Sequence, residues 1–319
     1  MTDRHHVRAF GLEIDSAVDA PGLPAANGRA GGPRATLDVV DPDRIDSGWP
    51  ARGADRVLEE DFGGRRSEPD RTIDVHPKAG WRLYARHFGL ARVSPTGARI
   101  ECAPPPVAAW RWQRFLVGRV LPWAAVLRGL EAFHASAVSI DGRAFAFVAP
   151  TGGGKTSVAV RMVARGAGFL TDDVLALDRR DGVLRAHPGA GIASVRPAEK
   201  ALIDRALWRS LGRTLGNSGK SYLALPREDG PLPLAAIYYL RPGEDAAIER
   251  AKPDPRTLLA STFVLGVQTP KRLMNQLDVC SAIAKQVPTF TAGVDVASGS
   301  AGLAGRLEEH ARSQVTGDR

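Results

Sequence analysis

The stretch AFAFVAPTGGGKTSVAV, residues 144–160, decides how this chain reads. It begins within an almost wholly apolar run, Arg143–Val148, which predicts a buried strand. It runs on into residues 155–166, where Val158, Val160, Met162 and Val163 predict the apolar side of a helix ending at Gly166. Between them, Ala149-Pro150-Thr151-Gly152-Gly153-Gly154-Lys155-Thr156 follows the phosphate-loop pattern G-x-x-x-x-G-K-[ST], with Ala149 in place of the first glycine. Three successive glycines let the backbone curl until several N–H groups face one anion. The start of the helix adds a partial positive charge. On this reading Thr151, Gly152, Gly153, Gly154, Lys155, Thr156 and Ser157 form a nucleotide-binding loop. Lys155 reaches the β- and γ-phosphates, and the Thr156 hydroxyl is a ligand for Mg²⁺.

Outward from the loop, Asp172-Asp173 begins 17 residues after Lys155, at the end of a short predicted strand, Phe169–Leu170. A strand–loop–helix–strand unit would bring that strand end beside the loop. One carboxylate could then hold Mg²⁺ while the other accepts a proton from an attacking hydroxyl. Read alone, the pair is more simply an exposed acidic turn. Upstream, Phe133–Ile140 reads as a strand and Asp141-Gly142 as a hairpin turn. His134, at the start of that strand, is either a buried structural histidine or part of the site.

These residues together resemble the catalytic domain of HPr kinase/phosphorylase. The resemblance is carried by His134-Ala135-Ser136, Asp141-Gly142, APTGGGKTS at 149–157, Arg165-Gly166 and Leu170-Thr171-Asp172-Asp173. It is close over about 45 residues and looser to about residue 290. "PLAAIYYL" at 233–240 and "AKQVPTF" at 284–290 are similar to a divergent subgroup, some of whose members look like peptide-tailoring kinases of lasso-peptide pathways. The resemblance implies an α/β fold with a mixed-sheet phosphate-loop core, akin to phosphoenolpyruvate carboxykinase and not a Rossmann sheet. It implies ATP and Mg²⁺ as cofactors and transfer of the γ-phosphate to a hydroxyl of a peptide, protein or small metabolite. Asp172 would be the general base and Asp173 with Thr156 the metal ligands. Lys155 would bind phosphate, His134 would orient substrate or relay charge, and a homo-oligomer is expected. The family's EVRGxG stretch has no counterpart here, so phosphorolysis of the product, and HPr itself as acceptor, are not implied. Arg196 and Lys220 fall where the family makes further phosphate or substrate contacts but match no motif; as residue types they read as surface cations. His187 and Arg272 are weaker candidates.

The rest of the chain frames this core. Residues 1–108 predict a β-rich region with loose loops, parts of 17–34 and 47–70 mobile, and turns such as Asn27-Gly28. Pro104-Pro105-Pro106 marks a boundary, and residues 109–319 form the second domain. Residues 110–132 have helical spacing, interrupted by Pro122. Further on, a hairpin is expected at Val174–Leu177 and Val183–Ala186, then a helix at Ala198–Leu211 and a polar loop at Gly212–Gly219. A strand at Leu234–Leu240 and helices at Pro255–Leu265, Leu273–Lys285 and Ala301–Arg312 follow, with a frayed tail.

The net charge of the 319 residues is +8, and it is uneven: residues 1–108 are near neutral, with 15 basic and 16 acidic side chains. The basic excess of the second part is scattered arginine, without an arm, a reading helix or stacking aromatics, so no specific nucleic-acid partner is expected. Two cysteines, Cys102 and Cys280, support neither a disulfide framework nor a thiolate zinc site. The apolar run Phe115–Ala132 is interrupted by Arg119, Arg128 and Glu131, so no membrane span is expected. The opening MTDRHHVRAF lacks a signal-peptide core, which makes a cytoplasmic location the expectation. Two alternatives to a kinase stand at this level: a nucleotide-dependent regulatory module without transfer activity, and a carboxykinase-like enzyme.

Overall fold

A computed structural model describes residues 3–26, 28, 31–62, 69–243, 247–264, 266–294 and 300–316. The chain is α/β with mixed sheets and falls into two compact units, Met1–Leu130 with Val264–Arg272, and Glu131–Phe263 with Leu273–Arg319.

The first unit is built on one eight-stranded sheet. Its elements are β1 (His5–Ala9), β2 (Leu12–Ser16), β3 (Arg34–Val39), α1 (Pro42–Ser47), β4 (Asp55–Glu60), β5 (Arg71–His76), β6 (Gly80–Ala85), β7 (Gly89–Val93) and β8 (Arg99–Ala103). The strand order is β1-β2-β3-β8-β7-β6-β5-β4. The β4–β8 run is an antiparallel meander, and β3 lies parallel to both β2 and β8. Alternation along β6 and β7 buries Trp81, Leu83, Ala85, Ala91 and Val93, the period of two that a half-buried strand requires. Sequence reading passed over α1, although Asp41-Pro42 carries its start signal: the Asp41 carboxylate accepts the Asp43 N–H at 2.9 Å and Pro42 occupies the first turn. Residues 27, 29, 30 and 63–68, within the stretches expected to be mobile, lie outside the described residues, as does Asn27 of the expected turn. Elsewhere in those stretches Val18, Ala20 and Leu23 are buried.

The helical run after the proline triplet belongs to this first unit, whose longer segment ends at Leu130. It comprises α2 (Ala109–Phe115), a π-helical turn (Leu116–Val120) and α3 (Leu121–Leu127). Pro122 lacks an N–H and its ring crowds the carbonyl four residues earlier; the wide turn before it absorbs the disruption. Two contacts tie the run to the sheet. Trp123 meets Trp81 edge-on at 5.2 Å between ring centroids. Gly97, at φ 71°, is so close that a Cβ there would stand 2.7 Å from the Ala124 carbonyl oxygen.

The second unit contains β9 (Glu131–Phe133), β10 (Ala135–Ile140), β11 (Arg143–Val148), α4 (Lys155–Ala164), β12 (Gly168–Thr171), β13 (Leu175–Arg180), β14 (Val183–His187) and β15 (Ile192–Val195). After these come α5 (Pro197–Ala201), α6 (Arg205–Leu211), β16 (Arg213–Asn217), β17 (Ser221–Ala224), β18 (Leu232–Pro242) and β19 (Ile248–Arg250). The last elements are α7 (Pro255–Ala260), α8 (Pro270–Gln286, whose residues up to Arg272 fall in the first unit), β20 (Thr289–Val294) and α9 (Ser300–Thr316). The main sheet runs β12-β10-β11-β18-β14-β13-β9, with β20 added beside β18 and β19 beside β20. Strand β11 lies antiparallel to β10 and parallel to β18. A separate antiparallel sheet has the order β15-β17-β16.

Both faces of the main sheet are covered, which is why its central strands read as continuous apolar runs. Ala144, Ala146 and Val148 of β11 join a cluster with Leu258, Val279 and Ile283 from α7 and α8. Phe145 and Phe147, pointing the other way, pack with Val158 and Met162 of α4 and Leu303 and Leu307 of α9. Val160 of α4 faces a third cluster, formed with Ala193, Val195, Trp208 and Leu223 of the small sheet and α6. Helix α4 is thus wedged between the two sheets.

The expected turns Asp141-Gly142 and Asp181-Gly182 both adopt positive φ at both residues, as two-residue hairpins require. The expected strand 133–140 is broken at His134, whose backbone N–H bonds the Ser261 carbonyl instead of a neighbouring strand. The expected helix 198–211 is two helices. Asp204 starts the second by accepting the N–H groups of Ala206 and Leu207. The expected polar loop 212–219 contains β16, held by pairing with β17. The expected helix at 255–265 ends at Ala260, and Leu265 lies outside the described residues, as do 317–319 of the expected tail. No helix among the described residues is long and apolar enough to cross a membrane.

Candidate functional site

Strand β11 delivers the chain to the glycine loop and α4 carries it away. Gly152 and Gly154 both take φ 90°, a left-handed conformation that costs glycine nothing. Gly153 is a case of close approach: a Cβ there would lie 2.7 Å from the Ala149 Cβ and 3.1 Å from the Pro150 oxygen. The Gly153 N–H closes a turn onto that same oxygen at 3.0 Å. Gly154 is the N-cap of α4 and has no side chain to satisfy the first helical N–H groups, which therefore remain available to a ligand. Thr151 and Gly152 are exposed at the apex, while Thr156 and Ser157 are half-buried on the first turn.

Lys155 is only 6% exposed. Its Nζ donates to the Ala149 carbonyl at 2.8 Å and approaches the Pro150 carbonyl at 3.4 Å and His134 Nε2 at 3.1 Å. Burial pushes its pKa below the ordinary lysine value. The charge of Lys220 acts in the same direction, and the carboxylates of Asp173 and Asp172 oppose it.

The Asp172-Asp173 pair stands beside the loop. Its two carboxylates are held quite differently. Asp172 is buried, and both its oxygens are engaged: Oδ1 accepts the Ser136 hydroxyl at 2.6 Å and the Thr156 hydroxyl at 2.7 Å, and Oδ2 accepts the Ser194 N–H at 3.0 Å. Burial, reinforced by the neighbouring Asp173 charge, raises the Asp172 pKa; the three hydrogen bonds work against that rise. Asp173 sits at φ 69°, unusual for a residue with a Cβ. Its side chain is 49% exposed and faces His134 Nδ1 at 3.2 Å, while that nitrogen is 3.0 Å from the Asp173 carbonyl oxygen. His134 therefore bridges Asp173 and Lys155, and its ring stacks on Phe263 at 6.2 Å between centroids.

The structure thus gathers Lys155, Thr156, His134, Asp172 and Asp173 around one loop. It adds Ser136 and Ser194, which sequence reading did not single out. Ser136 lies in the motif that carries the resemblance, whereas Ser194 contributes only its backbone N–H and left no side-chain signal. Arg196 also arrives here, its guanidinium nitrogens 3.1 and 3.3 Å from where a Cβ on Gly152 would be. Two other candidates lie elsewhere. His187 pairs with Asp178 at 3.1 Å on the β13–β14 hairpin, and Arg272 donates to the Val267 carbonyl at 2.8 Å in the first unit.

Among the described residues no group of three His, Cys, Asp or Glu side chains could hold a metal unaided. The Thr156 hydroxyl and the Asp172 carboxylate fit the sparse protein ligation usual for Mg²⁺, which keeps waters and phosphate oxygens as its other ligands.

No family model and no curated protein matches the chain. A solved structure, the Hpr(Ser) kinase/phosphatase from Coxiella burnetii, aligns over 59% of this chain and 96% of its own, with 13% identity and a TM-score of 0.30. Overlap at that level supports no conclusion about fold or activity.

Proposed function

We propose that this chain is an ATP- and Mg²⁺-dependent kinase that transfers the γ-phosphate to a hydroxyl, of serine type, on a peptide, protein or small metabolite. The observation that carries the reading is the Thr156–Asp172 hydrogen bond. It joins the first turn of an uncapped, glycine-started helix to a buried carboxylate, with a second and open carboxylate alongside. The glycine loop would take the phosphates through its N–H groups, with Lys155 turning from the loop carbonyls onto the β- and γ-phosphates. Mg²⁺, when bound, would neutralise phosphate charge.

The hydrogen bonds favour exchanging the roles that the family resemblance implies for the two aspartates. Asp172, with both oxygens occupied and one of them on Thr156, is suited to holding the metal side of the site. Asp173, half-exposed and facing His134, has room to receive the proton of an acceptor hydroxyl. The regulatory-module alternative draws on one observation: Lys155 is already satisfied by protein acceptors.

The test is incubation of the full chain with γ-labelled ATP, Mg²⁺ and a library of serine-containing peptides, alongside calorimetric titration with ATP. Saturable binding and acid-stable label on a peptide, both lost in Lys155→Ala, are expected. Binding without label on any acceptor would favour the regulatory module, and absence of binding would overturn both readings.

A further inference from the structure

The small sheet β15-β17-β16 brings a second set of cations to the loop. Strand β15 is fastened to the site where the Ser194 N–H meets Asp172 Oδ2 at 3.0 Å. Two residues later Arg196 lays its guanidinium against Gly152, the planar group 3.1 to 3.6 Å from a Cβ position there. The pairing Val195↔Ser221 puts Lys220, on the adjoining hairpin, at the same end of the sheet. Its charge is felt at Lys155. Arg196 is exposed and makes no ion pair among the described residues; Glu199, one helical turn further on, is bonded to Arg161. Arg196, delivered to the loop without a carboxylate of its own, leaves positive charge that an anion at the loop would balance.

We propose that Arg196 is a ligand-contacting residue that binds the terminal phosphate of a nucleoside triphosphate held by the loop. This rests on the kinase reading and sharpens it. The first turn of α4 and Lys155 lie at the base of the loop. Arg196 directly follows β15 as the N-cap of α5 and lies against Gly152 at the apex, two residues from the Ser194 N–H that holds Asp172, so its guanidinium can reach the outermost phosphate of a nucleotide held by the loop. A guanidinium presents a flat fork of donors that matches two phosphate oxygens at once, which an ammonium cannot do.

Calorimetric titration of the full chain with ATP and, separately, with ADP tests this, both with Mg²⁺. Arg196→Ala is expected to weaken ATP about tenfold or more and ADP less than about threefold, the loss typical of one charge-assisted hydrogen bond. Arg196→Lys should restore part of the preference for ATP. Arg196→Gln keeps the first three side-chain carbons and a polar end without the charge, and gives the same comparison should the alanine variant fail to fold. Equal losses for both nucleotides, or none, would overturn the role of Arg196 and leave the kinase reading standing. Failure of the unsubstituted chain to bind ATP would overturn both.

Discussion

At residue scale, Asp172 and Asp173 are adjacent in sequence and opposite in circumstance. Their pairing and their distance from Lys155 were legible from the sequence. Their division of labour was not, because it depends on which carboxylate is buried against Ser136, Thr156 and Ser194. Asp173 occupies a left-handed conformation that glycine adopts freely, so Asp173→Gly should raise stability by up to about 1 kcal/mol in chemical denaturation. The same change should reduce phosphate transfer at least about a hundredfold while ATP binding stays within about threefold. Asp172→Asn should instead weaken Mg²⁺-dependent ATP binding. Titrating Mg²⁺ at fixed ATP on both variants checks the assignment; a metal dependence altered only in the Asp173 variant would return the base to Asp172.

At the scale of elements, strands β10 and β11 and helix α4 were legible because their signals are local: an apolar run, an Asp-Gly turn, a glycine-started amphipathic helix. Strands β15, β16 and β17 were not. Each is four or five residues long, and β16 carries mostly exposed residues; pairing with β17, not its own pattern, makes it a strand. This sheet has an electrostatic consequence. Burial holds the Lys155 pKa below 10.5, and Lys220 lowers it further. Phosphate binding needs the ammonium form, so affinity is full below the lowered pKa and falls as pH rises through it. ATP affinity should therefore decline with an alkaline midpoint beneath 10.5, and Lys220→Ala should move that midpoint upward. Calorimetric titrations across alkaline pH would show the shift, and an unchanged midpoint would remove Lys220 from the site.

At the scale of the molecule, the two units have separate cores, and every residue assigned to the site belongs to the second. Hydrogen exchange with and without ATP should show added protection around 149–157, 172–173 and 194–196, with β4 to β8 unchanged. Protection spread equally over the first unit would argue against a site confined to the second. By itself the sequence determined the strand, loop and helix of 143–166, the aspartate pair and the character of Lys155, because adjacent residues encode each of these. Only the tertiary structure decided that 109–127 packs on the first sheet, that His134 links Lys155 to Asp173, and that Arg196 lies over Gly152. Those outcomes depend on long-range strand pairing and on which polar groups are buried together, and no local window of the sequence contains both partners.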